Sequence, residues 1–402
     1  MVLYLYQKTL MLKSALEYLD TFISYEKNPE VDYNDEKFNL RKVKQFLEQW
    51  GIDYEELKFV HVAGSKGKGS VCNLIGRYLQ SEGIKVGIFT SPHILSITER
   101  FWLNGANISG KEFCTVVEEF KSFVGEDCEL TYFEVLFVLA LKLFVDQGLE
   151  YAVLEVGIGG RLDATNIVVP ELSILTTVEL EHTEILGDTL EAIVCEKLGI
   201  VKENVPVLIG YQSEEALGII AEKLKDKERV YFMHDALEAA NDRNMKLAFT
   251  AIKLLTGRVD EERFLEMAAE GGLPGRLEVR EIDGKKVVFD MAHTVNSAKA
   301  LGGFLEKEFD GRELVFLFGM LKGKKVVEVF EVLKPLVGKI TFTASHDQRG
   351  LSPEDLDEIW GGAEVIDNAY EAFEQLLKAL KKDQVLVVTG SHFLLSEIYK
   401  NL

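Results

Sequence analysis

The chain has 402 residues, of which 47% are hydrophobic and 28% charged, and its formal net charge is −21. This composition is typical of a soluble globular protein with two or three domains, and the acidic excess argues against nucleic acids and membranes as partners. Four scattered cysteines without a CxxC pair indicate reduced thiols in a cytoplasmic protein. We expect neither a signal peptide nor a membrane span, because charged residues break the apolar N-terminal segment and later apolar runs are short.

Short apolar runs alternate with helical patterns along the chain, which predicts parallel sheets with helices on both faces. The segment GGLPGR, residues 271–276, predicts a boundary and hinge between a larger domain (1–275) and a smaller α/β domain (276–402). Asn104-Gly105 is typical of a hairpin turn. The predicted strands are residues 59–63, 86–90, 151–156, 172–177 and 206–209 in the first domain and 287–289, 314–318, 340–342 and 385–388 in the second.

The first predicted strand runs directly into a glycine-rich turn, GSKGKGS at residues 64–70, and a helical pattern follows. Glycines let several backbone N–H groups face one anion, the helix adds its N-terminal dipole, and Lys68 adds a full positive charge. An ordinary glycine turn is the alternative, and the loop is a variant because a glycine separates the lysine from the final serine. The strand, loop and helix context favours a nucleotide phosphate site formed by Gly64, Gly67, Lys68, Gly69 and Ser70.

Polar residues follow or interrupt several of the neighbouring strands. Glu155 interrupts an apolar strand near its carboxyl end, where α/β sheets place their sites, and it is either a Mg²⁺ ligand or the ion-pair partner of Arg161. His182 follows the next strand and is either a ligand or a loop histidine. Ser91 closes another strand, and its alternative role is that of a turn serine before Pro92.

Lys197 falls on the inward stripe of a predicted helix that Asp188 and Glu191 would open as a capping box. A buried ammonium group needs a reason. The lysine either extends to the helix edge or reaches the phosphate and metal site, and the spacing does not choose between them. In the second domain Asp290 ends a strand, where it would contact a nucleotide or cap the next helix.

The motifs of nearly the whole chain resemble those of the folylpolyglutamate synthase/dihydrofolate synthase family of the Mur ligase superfamily. The most specific run is EVGIGGRLDATN, which separates the folate enzymes from the cell-wall ligases. The resemblance implies a P-loop ATPase-like domain that binds ATP and a Rossmann-like second domain that closes over the nucleotide and helps to bind glutamate. The further motifs are, in order, VAGSKGKGS, TSPHI, ERFWLNG, TYFE, LEHTEILG, EKLGIVK, PGRLE, FLFGMLKGK and VVTGSHFLLSEI.

The implied activity is the ATP-dependent addition of L-glutamate to tetrahydrofolate, to dihydropteroate or to both, through an acyl phosphate. The implied cofactors are ATP and two Mg²⁺ ions, and we expect a monomer. Lys197 matches the family lysine that is carbamylated and would hold the second ion. Lys68, Lys197 and His182 would be catalytic. The metal ligands implied by the resemblance are Ser91, Glu155, His182 and Lys197.

The resemblance also implies further substrate contacts. Arg276 and Asp290 match residues that contact the nucleotide, and Asn244 is a weaker match. The base that deprotonates the glutamate amine stays open between His293, His93 and Asp163. The pterin ring would lie against Thr131, Phe133, Leu162, Asp163 and Ala164.

Four positions depart from the family pattern: Lys66 replaces an asparagine, Glu181 an aspartate, Met291 a glycine and Thr294 an asparagine. These departures concern the details of ATP and glutamate binding. Three rival hypotheses remain: another ligase of the superfamily, a P-loop ATPase or small-molecule kinase, and a nucleotide-binding regulatory module without catalysis.

Overall fold

The computed structural model describes residues 2–24, 39–125, 128–233, 240–270, 274–322, 325–344 and 350–402. The chain divides into two compact units. The first comprises residues 1–93 and 97–268, and the second comprises residues 94–96 and 269–402.

The described part of the first unit contains ten helices, two 3₁₀ helices (Ile97–Arg100 and Ala164–Ile167) and eight strands. The helices are α1 (Val2–Leu19), α2 (Leu40–Gln49), α3 (Lys68–Ser81), α4 (Gly110–Val124), α5 (Tyr132–Asp146), α6 (Thr183–Leu186), α7 (Leu190–Leu198), α8 (Glu214–Lys223), α9 (Ala240–Thr256) and α10 (Glu261–Glu270). The strands are β1 (Lys58–Ala63), β2 (Val86–Phe89), β3 (Phe101–Leu103), β4 (Ala106–Asn107), β5 (Tyr151–Glu155), β6 (Leu172–Leu175), β7 (Val207–Ile209) and β8 (Val230–Phe232).

The strands form one sheet in the order β4-β3-β2-β5-β1-β6-β7-β8, which is parallel except for β3 and β4. Alternate side chains of each strand face opposite layers of helices. Val60 and Val62 pack toward α3, α9 and α10, whereas Phe59 belongs to the core built around α5. The run 135–141 is apolar on all sides, and it forms part of the buried helix α5. The core therefore lies on both faces of the sheet.

The described part of the second unit contains a six-stranded sheet in the order β13-β12-β11-β14-β10-β9, in which β9 alone is antiparallel to its neighbour. Helices α11 and α12 cover one face, and α14 and α15 cover the other. The elements are β9 (Glu278–Ile282), β10 (Lys285–Phe289), α11 (Val295–Glu308), β11 (Glu313–Phe318), α12 (Val326–Leu333), a 3₁₀ helix (Lys334–Leu336), β12 (Lys339–Phe342), α13 (Pro353–Trp360), β13 (Glu364–Val365), α14 (Ala369–Ala379), β14 (Gln384–Thr389) and α15 (His392–Tyr399).

The predicted fold class is confirmed, and every predicted strand corresponds to an observed one within one or two residues at each end. The hairpin turn at Asn104-Gly105 is also confirmed, since it joins β3 to β4. The capping box at Asp188 is wrong, because the side chain of Thr189 caps α7 by accepting from Ala192 N. No helix in the described ranges has the length and apolar character that a membrane crossing requires.

Candidate active site

The turn between β1 and α3 requires glycine at two positions. Gly64 and Gly67 have φ of 144° and 88°, a region that favours glycine. A Cβ on Gly64 would lie 1.8 Å from Thr176 Oγ1, and one on Gly67 would lie 2.3 Å from Asn244 Oδ1. Gly67 is the N-cap of α3 and has no side chain to cap it, so the first N–H groups of the helix keep their capacity to bind an anion. The structure thus brings Asn244 to the predicted phosphate loop.

Two lysines from different elements meet at one carbonyl oxygen of this loop. Lys68 Nζ and Lys197 Nζ donate to Gly64 O at 3.0 and 2.9 Å. Lys197 is 2% exposed, so it reaches the phosphate loop and does not extend to the helix edge. Glu181 joins the group, with its Oε1 3.3 Å from Lys197 Nζ and its Oε2 3.2 Å from Lys66 Nζ. Three ammonium groups and one carboxylate therefore surround the start of the loop.

The charges in this group shift one another's pKa values. Burial alone would raise the pKa of Glu181, but Lys68, Lys197 and Lys66 outweigh it and lower that pKa to about 2. Burial lowers the pKa of Lys197 to about 8, with Glu181 opposing the shift and Lys68 adding to it. The carboxylate thus stays ionised at neutral pH, whereas a fraction of Lys197 is a neutral amine.

Glu155 lies at the end of β5 and is buried beside the phosphate loop. Its Oε2 accepts from Ser91 N at 3.0 Å, which brings these two predicted metal ligands together. A Cβ on Gly69 would lie 3.1 Å from the same oxygen, so the carboxylate is close to the first turn of α3. Arg161, the alternative partner of Glu155, donates its Nε–H to Glu196 Oε1 at 2.9 Å. A buried carboxylate at this point fits a divalent cation.

His182 is the N-cap residue of α6, with φ of 50° and a side chain that is 44% exposed. Partial burial lowers its pKa, and the charges of Lys68 and Lys197 add to this shift while Glu181 opposes it. It follows β6, whereas Glu155 ends β5, and both strands are neighbours of β1 in the sheet. In parallel strands the carboxyl ends share one edge, so this order gathers the predicted ligands at one side of the phosphate loop.

The described residues contain no group of three or more His, Cys, Asp and Glu side chains that could hold a metal ion. Of the predicted ligands only Glu155 and His182 belong to these residue types, so the set that also includes Ser91 and Lys197 stays a prediction.

The loop after Glu155 is organised by the carboxylate of Asp163. Its Oδ2 accepts from Gly157 N and Ile158 N at 2.9 and 3.2 Å, and its Oδ1 accepts from Thr165 N at 3.0 Å and from Thr165 Oγ1. Burial raises the pKa of Asp163 although these donors oppose the shift. Four donors occupy the four lone-pair sites of a carboxylate, so this group is a poor base and a strong organiser of the loop.

The other predicted pterin contacts also have structural partners. Thr131 caps α5 in a capping box with Glu134, and the ring of Phe133 packs over Gly157, where a Cβ would lie 2.7 Å from it. Leu162 and Ala164 are buried on either side of Asp163. Of the five residues, at least Thr131 and Asp163 therefore already have a structural role, and a contact with the substrate would be an additional role.

The two histidines considered as bases differ in their partners. His93 Nδ1 accepts from Arg100 Nε at 2.9 Å, which occupies that nitrogen. His293 Nδ1 lies 2.8 Å from Met291 O, so Nδ1 carries the proton and Nε2 is the basic nitrogen. Of the two, His293 has the geometry of an oriented base.

In the second unit Asp290 directly follows β10 and is buried. Its Oδ2 accepts from Leu277 N at 2.9 Å, and burial raises its pKa to about 6 although this N–H and Arg276 oppose the shift. The alternative role as a helix cap is wrong, because Thr294 caps α11. Arg276 is exposed, and the first three residues of the predicted hinge, 271–273, lie outside the described residues.

From the sequence, Lys66 and Glu181 were noted as departures from a family pattern and not as an ion pair. Their ion pair joins the phosphate loop to the segment after β6, which a linear sequence does not reveal. The sequence analysis also missed His61. This histidine interrupts an otherwise apolar strand in the same way as Glu155, and that pattern could have identified it.

Two family models match the chain. Residues 62–269 match the Mur ligase middle domain, and residues 275–392 match the model described as "Mur ligase, glutamate ligase domain". A curated relative, the dihydrofolate synthase/folylpolyglutamate synthase of Escherichia coli (strain K12), is 30% identical over 354 residues, which are 82% of this chain and 83% of that protein.

Solved structures extend the likeness over nearly the whole chain. E. coli FolC in complex with DHPP and ADP is 27% identical, with a TM-score of 0.84 and coverage of 97% of both chains. The bifunctional folylpolyglutamate synthase/dihydrofolate synthase from Yersinia pestis, complexed with AMPPNP and a Mn ion, is 26% identical, with a TM-score of 0.82 and coverage of 97% of both chains.

Proposed function

Because the chain belongs to the folylpolyglutamate synthase/dihydrofolate synthase family of Mur ligases, we propose that residues 64–70 bind ATP and that the loop 157–165 binds the acid substrate. The protein is an ATP-dependent amide ligase that adds L-glutamate to a folate or to dihydropteroate through an acyl phosphate. The observation that best supports the ATP site is that the ammonium groups of Lys68 and of the buried Lys197 both donate to Gly64 O beside the uncapped start of α3.

Phosphoryl transfer to a carboxylate consists largely of positioning and charge neutralisation. Lys68 and the N–H groups of the loop would hold the phosphates, while Asn244, Arg276 and Asp290 would contact the rest of the nucleotide. The substrate carboxylate attacks the γ-phosphorus and ADP leaves. The amine of glutamate then attacks the acyl carbon, and phosphate leaves. We assign His293 as the group that accepts the amine proton, because Met291 O orients its ring.

A divalent metal belongs to this proposal, and the Mn ion of the Yersinia pestis structure supports it. The buried carboxylate of Glu155 beside the phosphate loop fits such an ion, and we assign Mg²⁺ with Ser91, Glu155 and His182 as ligands. When bound, the metal supplies positive charge that stabilises the phosphate oxygens.

Carbamylation of Lys197 and a second Mg²⁺ are a further part of the proposal. A lysine must be neutral to react with CO₂, and burial lowers the pKa of this one to about 8. The product would place a second anion beside Glu181, a pair of anions that a divalent cation would stabilise. We also propose that the enzyme acts as a monomer in the cytoplasm, where an exposed thiol such as that of Cys195 stays reduced.

The test is to incubate the protein with ATP, Mg²⁺ and L-glutamate, with dihydropteroate or tetrahydrofolate in parallel, and to follow product mass and phosphate release. We expect a product one glutamyl unit heavier and one phosphate released per product. ATP hydrolysis that does not depend on glutamate would point to an ATPase. Glutamate-dependent ADP release with a different acid would point to another ligase of the superfamily.

A further inference from the structure

His61 is a fully buried histidine on the central strand β1 of the first sheet. It is 0% exposed and lies on the strand face of Phe59, toward the core around α5. A buried imidazole loses its hydrogen bonds to water, which lowers the stability of the fold unless hydrogen bonds within the protein replace them. Its position in the chain is three residues before Gly64, where the phosphate loop begins.

A chain of hydrogen bonds joins this histidine to the loop after β5. His61 Nε2 lies 2.8 Å from Thr165 Oγ1, and Thr165 Oγ1 donates to Asp163 Oδ1. An ionised carboxylate only accepts, so the single hydroxyl proton points to Asp163. The threonine oxygen must then accept from His61, which fixes the proton of the imidazole on Nε2.

The second nitrogen of the ring supports this assignment. His61 Nδ1 is buried and has no hydrogen-bond partner among the described residues. A protonated ring would leave a donor and a positive charge unsatisfied there, and burial accordingly lowers the pKa of His61 to about 3. The imidazole is therefore neutral at pH 7, and it has one defined tautomer.

The far end of the chain of hydrogen bonds is the loop that faces the candidate site. Asp163 accepts from Gly157 N and Ile158 N, and these residues follow Glu155 within three positions. The ring of Phe133 packs directly on Gly157. A rotation of the Asp163 carboxylate would therefore move the backbone beside Glu155.

We propose that His61 is a positioning residue for the ligase reaction, which orients Asp163 through the hydroxyl of Thr165 and thereby holds the loop 157–165 in the shape that binds the acid substrate. This inference rests on the proposed function. It assigns to His61 no contact with the substrate or with ATP, so its effect should fall on the acid substrate and not on the nucleotide.

Two matched pairs of variants test the inference. Thr165→Ser keeps the hydroxyl, whereas Thr165→Val keeps the shape without it. His61→Gln keeps an N–H donor at the same distance from the backbone, whereas His61→Met does not. We expect Thr165→Val and His61→Met each to raise KM for the acid substrate about tenfold, with KM for ATP unchanged, and the serine and glutamine variants to remain within about twofold of the wild type.

The double variant His61→Met/Thr165→Val sharpens the test. Residues that act as one unit are not additive, so the double variant should raise KM no further than either single variant. Hydrogen exchange gives a second readout that does not require turnover. The amides of Gly157 and Ile158 should exchange faster in Thr165→Val than in Thr165→Ser.

A purely structural role would lower the unfolding temperature of the variants while leaving KM for the acid substrate unchanged, and this result would overturn the inference. Equal exchange rates of the two amides in Thr165→Val and Thr165→Ser would also overturn it. Absence of ligation by the wild type is a different failure, because it rejects the proposed function itself and with it any role of His61 in ligation.

Discussion

In each sheet a strand is followed by an acidic side chain that is largely removed from solvent, and the two carboxylates have opposite electrostatic environments. Glu181, after β6, lies among three lysines that lower its pKa to about 2. Asp290, after β10, receives a backbone N–H and the charge of Arg276, and burial still raises its pKa to about 6. Burial alone therefore does not decide the charge of an acid. In a chain with a net charge of −21, the first unit concentrates three lysines at the start of the predicted phosphate loop.

The largest expected effect comes from removing one of these cations. Lys68→Ala takes away an ammonium group beside the uncapped start of α3. We expect kcat/KM to fall roughly 100- to 1,000-fold, because a preorganised charge that stabilises transferring phosphate is lost. Steady-state kinetics of the glutamate-dependent reaction measure the change, and the exposed Lys253→Ala is the control. Normal ligation by the Lys68→Ala protein would remove this residue from the site.

The two carboxylates should affect the stability of the protein in opposite ways as the pH changes. The pKa of Glu181 is about 2 instead of 4.5, so its charge contributes stability that is complete above pH 4.5 and is lost as the pH falls toward 2. The pKa of Asp290 is about 6 instead of 3.8, so the native state is penalised as the pH rises through 4 to 6. Each effect is worth on the order of 3 kcal/mol.

Glu181→Gln and Asp290→Asn should therefore have pH dependences of opposite sign. The stability advantage of the wild type over Glu181→Gln should shrink as the pH falls below 4.5. The stability of Asp290→Asn relative to the wild type should increase as the pH rises from 4 to 7. Denaturant unfolding at several pH values measures both, with each transition fitted separately. If the stability of both variants relative to the wild type changed with pH in the same direction, the two carboxylates would not have the opposite environments described above.

The smallest expected effect concerns Lys66, which is one-third exposed and pairs with Glu181. Such a pair is worth about 1 kcal/mol or less, so Lys66→Asn should lower kcat/KM no more than about fivefold. In the double variant Lys66→Asn/Glu181→Asp, the effects of the two substitutions on kcat/KM should not be additive, because the two residues are in contact. A Lys66→Asn protein as impaired as Lys68→Ala would show instead that both lysines bind the phosphates.

Short segments of the sequence were sufficient to predict the strands and the candidate site residues that lie within them. Apolar runs such as 59–63 and 385–388 locate central strands, because buried parallel strands are apolar on both faces. The glycine loop and the acid in β5 indicate the candidate site by the opposite signal, since each departs from what a plain turn or an apolar strand requires. Family membership, the ligase activity and the fold were all predicted from motifs in their order.

The rest depends on contacts between distant segments. The convergence of Lys68 and Lys197 on Gly64 O joins residues that are far apart in the chain, and no local pattern encodes it. The cap of α7 was placed one residue too early because Asp188 and Thr189 are both good caps. The site roles that rest on resemblance, such as those of Ser91 and Arg276, stay predictions.

Gly64 has a consequence for how the sequence can vary. Its Cβ would overlap the hydroxyl of Thr176 at 1.8 Å, and its φ of 144° disfavours any other residue even if the space were opened. A saturation library at this position should thus return glycine alone among active clones. Shrinking Thr176 would relieve only the overlap and not the backbone conformation. Two independent features therefore restrict substitution of Gly64: the side chain of Thr176, which directly follows β6, and the backbone conformation of Gly64 itself.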